Sequence, residues 1–436
     1  MEFNEILNKT NELNQKTKVI IEKVDFSDCE NWKYDEELGE INNATRSFFQ
    51  IKGLRKTTGD EQIQQPIIIQ NEIGYLGIIR KKINNELHYL MQYKIEPGNI
   101  NKIQISPTIQ ATKSNFTQKH GGRKPAYLDY FINASNYKII VDQIQSEQSS
   151  RFLGKRNRNI VIEVNDDEQI EVLPNFDWMT LPQIKKLMRY DNLVNMDTRT
   201  VISCIPMQYE DLKESDFTDK ALYKSMMTGC KTNLLPDIFQ HINNLKMFNE
   251  STTEIVPLKE LDEWSIKNGE LVCNKPYNYK VVFCNIEIEG REVKRWCQPL
   301  FEANGIATFG LFTCVVDGVR MFLVKSREEI GCFDQVEIGP SIQREYIDES
   351  EKDAVDLLFD QKLLSKEGIM FDTLLSEEGG RFYQEQNRNL IINIEKDELD
   401  LPDGYFWCDY KTLNQLVQVN NVLNIQLRNL LSVLEF

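Results

Sequence analysis

Only three of the 436 residues are histidine, and the nine cysteines are scattered without a C-x-x-C pair. That argues against a structural zinc site and against a disulfide framework, so the thiols are expected to be reduced and the chain cytoplasmic. No run of about eighteen apolar residues occurs, so nothing is suited to spanning a membrane. The opening residues, MEFNEILNKTNELNQ, are polar and lack the basic start and apolar stretch of a secretion signal. Neither G-x-G-x-x-G nor G-x-x-x-x-G-K-[ST] is present, which speaks against NAD and P-loop nucleotide chemistry. Positive charge is the minority sign: 51 lysines and arginines against 67 aspartates and glutamates, a formal net charge of −16. Such a surface repels nucleic-acid phosphates, and no nucleic-acid partner is expected. A small anionic ligand stays open where basic residues gather.

What is present is a core-forming share of apolar residues, 41%, and a repeat. SEQSSRFLGKRNRN, Ser146 to Asn159, returns as SEEGGRFYQEQNRN, Ser376 to Asn389, offset by 230 residues. QPIIIQNEIGYLGI from Gln65 matches QPLFEANGIATFGL from Gln298, and ISPTIQ from Ile105 matches IGPSIQ from Ile338. Trp32 followed by SFFQIKG resembles Trp264 followed by VVFCNIEIEG. Four blocks in one order indicate a duplicated domain, residues 1–230 and 231–436, with polar, turn-rich MMTGCKTNLLPD near the boundary.

Each unit reads as a helix, several strands with short turns, a further strand, then a helix pair. NEIGYLGIIR, ELHYLMQYKI, YKIIVDQIQ, ATFGLFTCVV and VRMFLVKS carry the strand signal, and Asp317-Gly318 is a strong hairpin turn. The expected fold class is α+β.

The first-copy loop carries Arg151, Lys155, Arg156 and Arg158, with Asn157, Asn159 and Phe152 among them. Guanidinium forks suit phosphate oxygens, so a diphosphate-linked ligand fits this loop. A solvated loop pairing with the many carboxylates is the alternative. The second copy keeps Arg381, Phe382 and Arg388 but replaces the middle by Gln384, Glu385 and Gln386. The N-R-N shared by both copies could equally brace turns. Trp296 could stack on a base or lie in the core; its repeat mate is Ile63. His120, Glu147 and Tyr127 are the nominees for proton transfer. Asp197 and Arg199 could simply pair with each other, and Glu147 and Glu377, which precede the basic loops, could serve as bases or neutralise the arginines.

A Nudix box is nearly spelled by Gly331, Glu337 and REYIDES from Arg344, but the spacing is one residue short and the terminal glycine is missing. One residue turns a helical face by about 100°, so the glutamates would not converge on a metal.

QSEQSSRFLGKRNRNIVIEV, FDWMTLPQIKKLMRYDNLVNMDTRTVISCIP, REVKRWCQPL and ISPTIQATKSNF resemble segments of the NDP-hexose 2,3-dehydratases. The resemblance covers nearly the whole chain. It implies two tandem Nudix-like α/β/α sandwich domains without metal-hydrolase chemistry, a homodimer, and two sugar-nucleotide pockets per chain of which one is catalytic. It suggests dTDP-4-keto-6-deoxyglucose as substrate, no metal or redox cofactor, and an NADPH-dependent ketoreductase acting next. Arg151, Phe152, Lys155, Arg156, Asn157, Arg158, Trp296, Gln343, Arg381, Phe382 and Arg388 are the expected binding residues. The family tends to carry tryptophan in both QP blocks, so Ile63 is a departure. A Nudix-type nucleotide-sugar hydrolase and a non-catalytic sugar-nucleotide binding protein are the competing functions.

Overall fold

The computed structural model describes residues 2–46, 48–113, 124–291 and 293–436. Two seven-stranded mixed sheets carry the same connectivity. In the first, the order is Lys138–Ser146, Arg156–Glu163, Gly74–Ile83, Glu86–Ile95, Phe176–Thr180, with Ile103–Ser106 and Ile109–Ala111 paired alongside. The second repeats it with Ile369–Ser376, Gln386–Asn393, Thr308–Val316, Val319–Arg327 and Tyr405–Asp409, plus Glu337–Pro340 and Ile342–Arg344. In each sheet the strand that follows the R-F segment runs parallel to its neighbour, Asn157 opposite Gly74 and Arg388 opposite Thr308. The expected hairpin at Asp317-Gly318 is there, both residues left-handed (φ 51° and 74°). The first copy achieves the same turn with Asn84 and Asn85 (φ 53° and 65°), the residue type that tolerates that region best after glycine.

Each seven-stranded sheet is a middle layer. One face packs on Leu128–Ile132 in the first copy and Ala354–Ser365 in the second. The other faces a core shared by both copies, which includes Ile78, Val161 and Val201 with Leu311, Ile338 and Leu427. At its centre lie two helices, Met196–Ser203 and Ile425–Ser432, buried along their whole lengths. Asn195 and Asn424 cap them, accepting from the backbone N–H of Thr198 and Leu427. A helix buried on all sides must satisfy its polar side chains internally, and two arginines do so across the repeat. Arg199 donates to the carbonyls of Ser376 (2.7 Å) and Val194 (2.7 Å) and to Asn429, while Arg428 donates to the carbonyl of Ser146 and to Thr200. The proposed Asp197–Arg199 pair does not form; Arg199 is spent on bracing the other copy.

The halves also exchange strands. Val19–Val24 joins Tyr279–Ile288 of the second copy, and Thr252–Val256 joins Gln50–Thr58 of the first. The sequence boundary near residue 230 therefore marks no separation in space; its turn-rich residues 228–234 connect the helices Lys220–Met227 and Leu235–Met247.

A disulfide links Cys29 to Cys297, correcting the expectation that all thiols are reduced; seven cysteines are free. The two lie 268 residues apart, so no spacing could have announced them. The repeat mates of this pair are Leu261 and Gln64, so the counterpart position carries no disulfide.

The Nudix-box residues serve the fold. Gly331 lies against the Ser149–Phe152 turn, where a Cβ would sit 2.1 Å from the Phe152 carbonyl. Glu337 is buried and accepts from Ser146 (2.9 Å), and Arg344 pairs with Asp356 and Asp360. No helix covers 345–352, so the box has no helical face to present. Among the described residues no helix is long and apolar enough to cross a membrane.

Candidate active site

The strand exchange leaves a cleft between the copies. The first contributes Gln70, Glu72, Gly74, Lys94, Glu96, Gln110, Glu147, Phe152, Lys155, Asn157 and Asp197; the second contributes Arg291, Trp296, Gln298, Glu378 and Arg381. The turns that bear Glu147 and Glu378 are held by the cross-copy arginines. Gln65 and Gln298 of the two QP blocks donate to the carbonyls of Ser150 (2.8 Å) and Gly380 (2.7 Å), fixing those turns.

Along the cleft wall, Lys155 donates to the Glu72 carbonyl at 2.5 Å. Burial lowers its pKa to about 8; the Glu147 carboxylate opposes that, and Arg381 adds to it. Asn157 bridges the wall, donating to Glu147 (2.7 Å) while its carbonyl accepts from the Gly74 N–H (3.3 Å). Glu147 is raised by burial, against the pull of Lys155 and Arg428. Arg381 donates to Gln70 (3.2 Å) and lies 4.2 Å above the Phe49 ring. Trp296 donates to Gln298 (2.8 Å), which leaves its ring on the cleft side.

At the base, Glu96, Asp197 and Glu378 bring carboxylate oxygens within 4.8 Å of one another. Burial raises Glu378 to about 8, aided by Glu96, and raises Asp197 well above the ordinary carboxyl range, aided by Glu147 and Glu378. Burial acts on Glu96 as well, but Lys94 (3.3 Å) and Arg291 outweigh it and hold that carboxyl below its ordinary range. Gln110 also donates to Glu96 (3.1 Å) and is itself held by Asn195. A carboxyl held below its ordinary range beside others raised above it is the arrangement of an acid–base pair. The same three groups are those that could hold a divalent cation, with Lys94 competing for Glu96.

A sequence model of the family described as NDP-hexose 2,3-dehydratase matches residues 3–205 and matches again over 235–434. The chain belongs to the NDP-hexose 2,3-dehydratase family. It is 37% identical over 424 residues to a dTDP-4-dehydro-6-deoxy-alpha-D-glucopyranose 2,3-dehydratase of Saccharopolyspora spinosa, covering 94% of this chain and 87% of that one. Proteins of the same description from Streptomyces violaceoruber and Amycolatopsis orientalis are 35% and 32% identical, over 94% of this chain and 92% and 86% of theirs.

Of the residues the 2,3-dehydratase resemblance nominated, the cleft gathers Glu147, Phe152, Lys155, Asn157, Trp296 and Arg381. The others lie elsewhere. Arg151 is buried against Glu345 (3.3 Å) and 4.2 Å over the Tyr279 ring, in the counterpart position of the second copy. Gln343 is there too, donating to Glu329 (2.9 Å). Phe382 is core, edge-on to Phe152. Arg156 stacks on Phe333 at 3.7 Å, Arg158 pairs with Asp142 and Arg388 with Asp372. The physical reason is alternation. Arg156 begins a strand, not a loop, so Arg156 and Arg158 leave one face and Asn157 the other. Tyr127 donates to the Glu171 carbonyl (2.7 Å) on the opposite side of the sheet. His120 lies outside the described residues; Thr112 and Pro125, which flank its segment, line the cleft.

Sequence reasoning missed Glu96, Glu378, Lys94 and Arg291, and weighed Asp197 only as a partner for Arg199. One signal was available: at offsets of 229 and 230, Asp197 and Glu378 align with Gln426 and Gln148, a carboxyl-to-amide change in both cases.

Proposed function

We propose that this chain removes water across C2 and C3 of dTDP-4-keto-6-deoxyglucose, giving the 3,4-diketo-2,6-dideoxy sugar nucleotide, in the cleft between its two copies. The observation that carries the reading is the convergence there of Lys155 and Arg381, cations from opposite copies, with the Trp296 ring beside buried carboxyls. Lys155 and Arg381 suit the diphosphate, and Trp296 the flat face of the base. Asn157 and Phe152 line the sugar end. The arginines engaged in ion pairs elsewhere brace the strands that present these groups.

The chemistry asks for a base at C3, whose hydrogen the C4 ketone acidifies, and a proton donor for the departing C2 hydroxyl. Donors must face the C4 oxygen as charge gathers on it. Carbon 2 is reduced as carbon 3 is oxidised, so the substrate supplies its own redox balance. The same reading carries the Nudix-like character of the layered sheets, a cytoplasmic homodimer, and a ketoreductase using NADPH to consume the reactive diketone. These rest on the family resemblance.

Incubation of the purified chain with the 4-keto sugar nucleotide and EDTA tests the reading. Loss of one water by mass spectrometry is expected. Release of dTMP that depends on magnesium would make it a hydrolase, and an unchanged substrate with tight dTDP binding would make it a binding module.

A further inference from the structure

Offset by 229 to 233 residues, nearly every group at the cleft floor has a mate in the second copy, and some mates are identical. Glu96, Gln110 and Asn195 form a hydrogen-bonded chain in the cleft (3.1 and 3.3 Å), and Glu329, Gln343 and Asn424 form the same chain opposite (2.9 and 2.9 Å). What differs is the company of the glutamate. Glu96 has Asp197 and Glu378 within 4.8 Å, whereas the mates of those two are the amides Gln426 and Gln148. An amide has no proton to give or take at neutral pH. The counterpart lacks the two carboxyls that accompany Glu96.

Resting on the dehydratase reading, we propose that Glu96 takes the C3 proton and Glu378, with Asp197 beside it, supplies the proton on which the C2 hydroxyl leaves. The active centre is therefore shared between the copies, two carboxyls from the first and one from the second.

Two buried carboxyl oxygens without a hydrogen-bond partner belong to residues that line this site. Asp197, 2% exposed, leaves Oδ1 without a partner, and Glu147, 5% exposed, leaves Oε1 so, although its other oxygen accepts from Asn157. Leaving buried acceptors unpaired costs about 1–3 kcal/mol each, which a hydroxylated ligand would recover. Lys94 (3.3 Å) and the Gln110 amide (3.1 Å) face Glu96 and favour its charged form, while Glu378 has that charge within 4.8 Å and so favours its neutral form.

The proton count closes. Glu96 breaks the C3–H bond, and its electrons form the enolate with C4. The enolate reforms the ketone as the C2–O bond breaks, with the hydroxyl leaving as water on the proton from Glu378. A C2=C3 enol remains. Protonated Glu96 then delivers its proton to C2, and ionised Glu378 takes the proton from the C3 hydroxyl, which becomes the second ketone. Both carboxyls return to their starting states, and C3 has been oxidised at the expense of C2.

The test uses full-length Glu96→Gln and Glu378→Gln, with Glu329→Gln as the counterpart control, assayed in D2O for dehydration and for deuterium at C3 of recovered substrate. Both cleft variants are expected to lose at least about 100-fold in kcat, the range of general acid–base catalysis, while dTDP affinity holds within about threefold. Glu96→Gln should also lose C3 exchange. Glu378→Gln should keep it, and Glu378→Asp should recover part of the turnover. Glu329→Gln should stay within twofold of wild type. The proposal is overturned if wild-type chain dehydrates the substrate and either cleft variant does so within threefold of it, or if Glu329→Gln loses as much as they do. Should Glu96→Gln misfold, Glu378→Gln decides alone: C3 exchange without dehydration supports the assignment, and loss of both contradicts it. A wild type that releases no water would instead sink the dehydratase reading itself.

Discussion

The open cleft and its counterpart in the second copy are built on one plan and end in different chemistry. Both have the Glu–Gln–Asn chain, the Asn157–Glu147 or Asn387–Glu377 bond, a buried phenylalanine, and an arginine paired with an aspartate on the neighbouring strand. They part at Lys155 against Glu385, Trp296 against Ile63, Asp197 against Gln426 and Glu378 against Gln148. The counterpart is also occupied by its own side chains: Arg151 lies against Glu345 and Tyr279, and the Tyr346 ring covers Gly305, 2.0 Å from where a Cβ would sit. What a duplication keeps in register is scaffold. What it lets diverge is where chemistry is found.

That contrast can be broken by experiment. After the carboxyl variants, the largest effect is expected from Lys155→Met, which removes a cation that the counterpart lacks. A charge-assisted hydrogen bond of about 1.5–3 kcal/mol predicts a rise in KM of about 10- to 100-fold in steady-state kinetics. Trp296→Ile copies the second copy into the first. Loss of a stacked base, about 1–3 kcal/mol, should weaken dTDP binding at least fivefold by calorimetry, whereas Ile63→Trp should add none.

A pH profile separates the roles further. Glu378 must be protonated and has a pKa of about 8, so kcat falls as pH rises through that value. Lys155, also about 8, must be charged, so KM rises over the same range. In Lys155→Arg the KM limb should move out of range while the kcat limb stays. Persistence of both limbs would return Lys155 to a purely structural part.

Smaller still is the disulfide. Cys29→Ser should lower stability to denaturant by about 2–4 kcal/mol. KM is expected to rise only a few-fold, because Cys297 lies between Trp296 and Gln298 on the cleft wall. Least of all, Arg388→Ala, which opens a half-exposed pair with Asp372, should cost under about 1 kcal/mol in thermal melts and leave turnover unchanged.

Much of the scaffold was legible in the residues. Strand spans such as Glu86–Ile95 coincide with the alternating ELHYLMQYKI, and Asp317-Gly318 turns as its residue types require. The repeat blocks found the duplicated sheets. Half of the candidate site was legible as well, because Lys155, Asn157, Glu147 and Trp296 stand in those blocks. The basic cluster misled where charge was counted without period: in a strand, alternate residues part company, and Arg156 and Arg158 went to the far side.

By itself the sequence determined the family, the duplication, and the local elements, since propensity, turn chemistry and repeat register act between near neighbours. Only the tertiary structure decided that Val19–Val24 and Thr252–Val256 change places, that Cys29 meets Cys297, and that Glu378 comes to rest beside Glu96 and Asp197. Those contacts join residues about two hundred or more apart, and the altered acidities follow from burial that no local pattern encodes. Packing two copies into one core set them.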